Sequence, residues 1–260
     1  MTVKDAVEKV IQLAKWEVGY KPTVGKNTKY AEYLDSLGDF YNTLKNGHDW
    51  CDTFFDWLFV KSFGDDIGRK MLYQPKKSLG AGVGYSANYY KQNNAFSTLP
   101  QRGSQIFFGQ NHTGIVIDFD STYVYTIEGN TGGGNGQVQR KTYKRNAGTI
   151  SGYGIPNWGL VAAVKDEKKK SIEEIAKEVI AGKWGNGLER KEKLILAGYN
   201  YVEVQDKVNY LLTHKDIETI AKEVIAGKWG NGFTRKKKLE SSGYNYTEVQ
   251  KKVNELLKVK

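Results

Sequence analysis

The sequence has one cysteine and three histidines in 260 residues, and no run approaching 18 apolar residues. A lone thiol closes no intramolecular disulfide, so Cys51 is either an inert buried side chain or a chemical group. The short apolar runs exclude a membrane-spanning helix. A basic segment followed by an apolar one is also missing from the start. Met1 to Ile11 mixes charged and apolar residues, which predicts an amphipathic helix and no signal peptide. Synthesis in a cytoplasm is therefore expected. No nucleic-acid motif is visible, and the glycine-rich stretch from Gly80 to Tyr85 lacks the lysine–serine or lysine–threonine pair of a phosphate loop.

What is present is basic. The formal net charge is +10. Residues 1–160 hold 18 Lys+Arg against 14 Asp+Glu (+4), and residues 161–260 hold 21 against 15 (+6). Such a surface favours polyanions by long-range attraction. An anionic wall or other extracellular polymer is the expected partner, with no nucleic acid and no membrane insertion. A monomer is expected.

The C-terminal part repeats itself. Residues 172–212 and 217–257 align without a gap at an offset of 45, with 31 of 41 positions identical. Ile172, Ile175, Ala176, Val179 and Ile180 fall at helical spacing, and Ser171 with Glu174 forms a capping-box pattern. Gly182 offers a left-handed stop. A second helix is expected from about Leu188 to Ala197, and a third is capped by Asn200. Each unit reads as a three-helix module. Between its first two helices lies Gly-Lys-Trp-Gly-Asn-Gly, at 182–187 and again at 227–232. Trp184 and Trp229 either plug a small core or face a ligand beside Lys183, Asn186, Lys228 and Asn231. Arg190 and Arg235, one turn beyond the loop, either meet a ligand carboxylate or form a salt bridge. Tyr199 and Tyr244 complete the wall-binding candidates. The expected boundaries are a catalytic domain at 1–161, a charged linker at 162–170, and repeats at 171–213 and 214–260.

Residues 1–161 predict helices first and an antiparallel sheet after Pro100, an α+β order. Helices are expected at the N-terminus, from Tyr30 to Leu44, from Trp50 to about Phe63, and from Tyr85 to Gln92. Strands are expected at 106–108, 112–118, 123–128, 137–143 and 151–155. Asp49 is the expected N-cap of the third helix, placing Cys51 in its first turn, where the helix dipole lowers a thiol pKa. A hairpin centred near Asp120 sets His112 opposite Glu128 and puts Asn130 on the same face. A thiol, an imidazole, a carboxylate and an amide are the parts of a nucleophile, a base and its orienters.

Asp49-Trp50-Cys51, the Pro100-to-Phe108 segment, His112-Thr-Gly-Ile-Val116 and Ile127-Glu128-Gly129-Asn130 resemble the CHAP family of cysteine- and histidine-dependent amidohydrolases/peptidases, which are papain-like. The resemblance implies Cys51 as nucleophile, His112 as base, and Glu128 and Asn130 as orienters. It implies cleavage of a peptidoglycan amide, in the stem peptide or cross-bridge, or alternatively between muramic acid and the first alanine. Gly103-Ser104-Gln105 departs from the family's Gly-Asp. No cofactor is expected, although structural calcium near Asp35, Asp39, Asp49 and Asp52 stays open. The repeats resemble Cpl-7 type wall-binding modules, whose ligand is the muramyl-peptide part of peptidoglycan. Together the two parts resemble a phage or prophage endolysin, made in the host cytoplasm and acting on the wall after release. Two rival readings remain. A glycosidase needs two carboxylates, from Glu128, Glu32, Asp49 and Asp52. A noncatalytic wall-binding protein leaves the Cys-His-Glu-Asn set unused.

Overall fold

The computed structural model describes residues 1–163 and 170–258. Most of the expected charged linker, at 164–169, lies outside the described residues. Contacts divide the chain into two compact units, Met1–Lys169 with Lys191–Tyr199, and Lys170–Arg190 with Asn200–Lys260.

The first unit is a mixed α/β domain, as its element order predicts. Helices α1 (Val3–Glu17), α2 (Lys29–Ser36), α3 (Cys51–Phe63), α4 (Asp65–Met71) and α5 (Val83–Gln92) precede a six-stranded antiparallel sheet. The strands are β1 (Phe96–Ser97), β2 (Gln105–Phe108), β3 (His112–Phe119), β4 (Tyr123–Thr131), β5 (Gln137–Lys144) and β6 (Gly152–Gly154). Their order across the sheet is β1-β6-β2-β3-β4-β5. Thr2 and Asp5 close a reciprocal capping box at the start of α1.

Helix α3 is the centre of the domain. Twelve of its 13 residues are buried, so it is enclosed all round rather than on one stripe. It packs on α1, α2 and α4 and on the middle strands β3 and β4. Phe54, Phe55, Leu58 and Phe59 are fully buried there, and Trp50 lies just ahead of them. The helix therefore fixes whatever its first turn carries.

Two local expectations change. The helix expected from Tyr30 to Leu44 ends at Ser36, because Gly38 takes a φ of +77° and residues 37–50 run irregularly. The N-cap of α3 is Trp50, with no side-chain cap bond, not Asp49. The Asp49 carboxylate is drawn aside by Lys26 and by Asn130.

The repeats are three-helix modules. The first holds α6 (Ile172–Ile180), α7 (Gly187–Leu196) and α8 (Tyr201–Thr213). The second holds α9 (Ile217–Ile225), α10 (Gly232–Ser241) and α11 (Tyr246–Lys258). The Ser171–Glu174 capping box is present, and Gly182 takes the left-handed conformation at φ +77°. In the second repeat, Ile220, Ala221, Val224, Leu239, Tyr244, Val249 and Val253 form the core. Among the described residues no helix is long and apolar enough to cross a membrane.

Candidate functional site

The site forms where the first turn of α3 meets the starts of β3 and the end of β4. His112 opens β3 with its side chain 26% exposed, while Glu128 on β4 is wholly buried. His112 Nε2 and Glu128 Oε2 lie 2.9 Å apart. A buried carboxylate beside an imidazole nitrogen selects the tautomer with hydrogen on that nitrogen. Nδ1 is then the nitrogen left to accept a proton. Glu128 has further donors: Thr126 Oγ1 donates to Oε1, and the Tyr143 hydroxyl donates to Oε2 at 3.1 Å. Phe108 stacks on His112, with centroids 5.9 Å apart and planes inclined at 27°.

The pairing arises differently from the expected hairpin. Strands β3 and β4 pair Ile115 with Ile127 and Val116 with Thr126, and the register shifts between Val116 and Asp118. One extra residue on β3 forms this bulge. Continuing the inner register sets Glu128 opposite Gly114 and His112 opposite Asn130. Gly114 has no side chain to stand in the way. A Cβ there would meet Glu128 Cγ at 2.4 Å. Glu128 thus leans over Gly114 and reaches His112 diagonally, on the same face of the sheet.

Asn130 joins a different group. It has a φ of +55°, within a register break between Glu128 and Thr131 in the β4–β5 pairing, and its Nδ2 donates to Asp49 Oδ1 at 2.8 Å. Lys26 also binds Asp49, and the two bonds hold that exposed carboxyl below its ordinary pKa. Asn130 therefore ties the segment before α3 to β4. Gly129 lets the two elements close, since a Cβ there would meet Trp50 Cζ3 at 2.7 Å and Phe54 Cβ at 2.8 Å.

Cys51 sits in the first turn of α3, as expected, but it is only 5% exposed. Burial pushes its thiol up to about 12, and the charge of Asp52 adds to the rise. Hydrogen bonding from the backbone N–H groups of Asp52 and Thr113 opposes the rise without cancelling it. The expected lowering by the helix start is overruled by desolvation. Such a thiol is protonated at neutral pH and is a poor nucleophile.

Behind Cys51 lies a buried polar chain that no sequence pattern announces. Asp52 accepts from Ser86 Oγ and Gln105 Nε2, each at 2.6 Å. Asp56, one turn on, accepts from Tyr41 at 2.8 Å and Gln74 at 2.7 Å. Gln105 is thus engaged in the segment that departs from the family's Gly-Asp. Burial pushes the Asp52 carboxyl up to about 6 and that of Asp56 up as well.

The carboxylates considered for calcium are engaged by the chain itself. Asp35 accepts from the backbone N–H groups of Lys45 and Asn46, and Asp39 pairs with Arg69 and Lys76. Among the described residues no group of three or more His, Cys, Asp or Glu is placed to hold a metal ion.

In the repeats, Arg190 Nε donates to Gly185 O at 3.0 Å and Nη2 to Asn186 Oδ1 at 2.9 Å. Arg235 does the same to Gly230 O and Asn231 Oδ1, at 2.9 and 3.1 Å. Both arginines brace their glycine loops. Trp184 Nε1 donates to Glu178 and Trp229 Nε1 to Glu223, each at 3.0 Å. Trp229 also packs edge-on against Tyr244, 5.8 Å between centroids. Tyr199 and Tyr244 are buried, whereas Lys183, Asn186, Lys228 and Asn231 are exposed. Sequence reading passed over Leu188 and Phe233, which are 74% and 80% exposed at equivalent places after each loop.

Residues 173–212 and 218–257 match the CW_7 repeat, so the C-terminal part carries two phage-associated cell-wall-binding repeats. Among curated proteins, the "Lysozyme" of Streptococcus phage Cp-7 is 58% identical over 40 residues. That stretch is 15% of this chain and 12% of the relative, so the chain spans only a small part of the relative's length. These findings correct the expected chemistry. The named relative is a lysozyme, not a peptidase or an amidase, and Cys51 is a buried, protonated thiol. They count against a cysteine-dependent amidohydrolase, whether CHAP-type cysteine peptidase or amidase.

Proposed function

We propose that this chain is a phage-type lytic enzyme that hydrolyses bacterial peptidoglycan and is held to the wall by its two C-terminal repeats. The duplicated CW_7 repeat carries this reading. Two linked copies raise the local concentration of each on a polymeric ligand, so modest contacts give firm attachment. The muramyl-peptide part of peptidoglycan is the proposed ligand of the repeats.

The lysozyme relative makes a glycosidic bond of the glycan strand the proposed target. His112 is the partly exposed group that exchanges a proton at the reacting oxygen or water, through Nδ1. Glu128 holds its tautomer and balances its charge when protonated. Asp49, kept ionised by Lys26 and Asn130, supplies exposed negative charge at the same end of the domain for a transition state of oxocarbenium character.

The test is the product. Purified walls digested with the full chain are expected to gain reducing sugar ends. New amino groups without reducing ends overturn the glycan assignment. Wall binding with neither product overturns the enzymatic reading and leaves a binding protein.

A further inference from the structure

We propose that Tyr143 is a positioning residue of the His112–Glu128 pair. It resides on β5, the strand beyond β4, where it pairs with Val124. It takes hold of the pair twice. Its hydroxyl donates to Glu128 Oε2, the same oxygen that faces His112 Nε2. Its ring lies 4.6 Å from that of Phe108, and Phe108 in turn stacks on His112. One side chain thus fixes the carboxylate directly and the imidazole plane through an aromatic neighbour.

The phenol is suited to this task. Burial and the adjacent Glu128 charge hold it protonated far beyond neutral pH, so it acts as a donor throughout the working range. With Thr126 on Oε1, Glu128 has both oxygens engaged before any substrate arrives. A carboxylate so held has one orientation, and the imidazole is left with one tautomer, carrying hydrogen on Nε2. Packing alone would need only the ring; the hydroxyl, 3.1 Å from a buried carboxylate, is the part that packing does not explain.

The inference rests on the reading of His112 as the proton-exchanging group, and its test separates the two. Tyr143→Phe keeps the ring and removes the hydroxyl. In the full chain, 15N spectra of His112 are expected to show a single Nε2–H tautomer in the parent and a mixture in the variant. Lysis by Tyr143→Phe is expected to fall about tenfold in kcat with KM unchanged, the rate equivalent of one hydrogen bond to a charged group. Unfolding curves of the two proteins show whether the variant is folded. An unchanged tautomer overturns the positioning role, even if lysis falls. A changed tautomer with unchanged lysis leaves the positioning intact and overturns the catalytic reading of His112.

Discussion

Glu128 lies opposite Gly114 and reaches His112 diagonally at 2.9 Å. The absent side chain at 114 is what makes the diagonal possible. A methyl group there would meet Glu128 Cγ at 2.4 Å and the Ile127 carbonyl oxygen at 2.9 Å, and both residues are fully buried, with little room to yield. Gly114→Ala is expected to turn the carboxylate away from His112. The overpacking cost is about 1–3 kcal/mol. Urea unfolding measures that cost, and the 15N spectrum of His112 reports the lost pairing. A variant as stable as the parent, with the parent tautomer, would show that the strand pair accommodates the methyl group.

Cys51 gives a second prediction. A thiol pushed up to about 12, against an ordinary 9.0, holds roughly a thousandfold less thiolate at pH 8. Iodoacetamide is expected to label the folded chain far more slowly than the chain in urea. Cys51→Ala is expected to keep lysis near the parent rate. Fast labelling of the folded chain, with loss of lysis and wall binding retained, would return the thiol to the chemistry.

Much of this arrangement was legible because it depends on parity. The expected hairpin set His112 directly against Glu128, but Phe119 pairs with Val124, so the turn lies further along the chain, and the bulge between Val116 and Asp118 takes back one residue of that shift. Glu128 ended two residues away along the facing strand, an even step, so both side chains stayed on one face. The helices of the repeats were legible for a similar reason, since capping boxes and left-handed glycines are local. Burial is not local. Whether Cys51 is shielded depends on β3, which brings Thr113 to the thiol, and no window around residue 51 reports that strand. The chain from Ser86 and Gln105 to Asp52, and from Tyr41 and Gln74 to Asp56, joins residues as many as 53 apart in sequence. Asn130 escaped for a backbone reason. Its positive φ carries the amide out of the strand's alternation and onto Asp49.

The buried Asp52 gives a pH prediction. Its folded pKa is raised, from 3.8 to about 6, chiefly by burial. The folded state therefore holds the proton more tightly than the unfolded one. The resulting stabilisation is full below about pH 4 and is lost as pH rises through 4 to 6. At neutral pH the ionised, buried carboxylate is a cost on the order of 2–3 kcal/mol relative to acid conditions. Asp52→Asn keeps an acceptor for Gln105 and removes the charge. The stability difference, variant minus parent, is expected to rise between pH 4 and pH 7 and then level off. Urea unfolding across that range measures it. A difference that stays flat with pH would show that Asp52 titrates at its ordinary value.

Arg235 and Phe233 separate what holds a repeat together from what it presents. Arg235 Nε and Nη2 bind Gly230 O and Asn231 Oδ1, so its guanidinium stands in for backbone partners that the glycine loop lacks. Arg235→Ala is expected to lower the stability of the second repeat by about 1–2 kcal/mol, the cost of leaving loop acceptors without their donors. Phe233 is 80% exposed and is not part of the repeat core. Phe233→Ser is expected to leave stability within about 0.5 kcal/mol of the parent. If the loop end is the face that meets the wall, Phe233→Ser weakens pelleting with purified walls, and the matching change at Leu188 weakens it further. Helical content followed on heating reads the first effect, and wall pelleting reads the second. Pelleting unchanged by both surface substitutions would place the contact elsewhere on the repeat, while a stable Arg235→Ala would show that the glycine loop keeps its shape without the guanidinium.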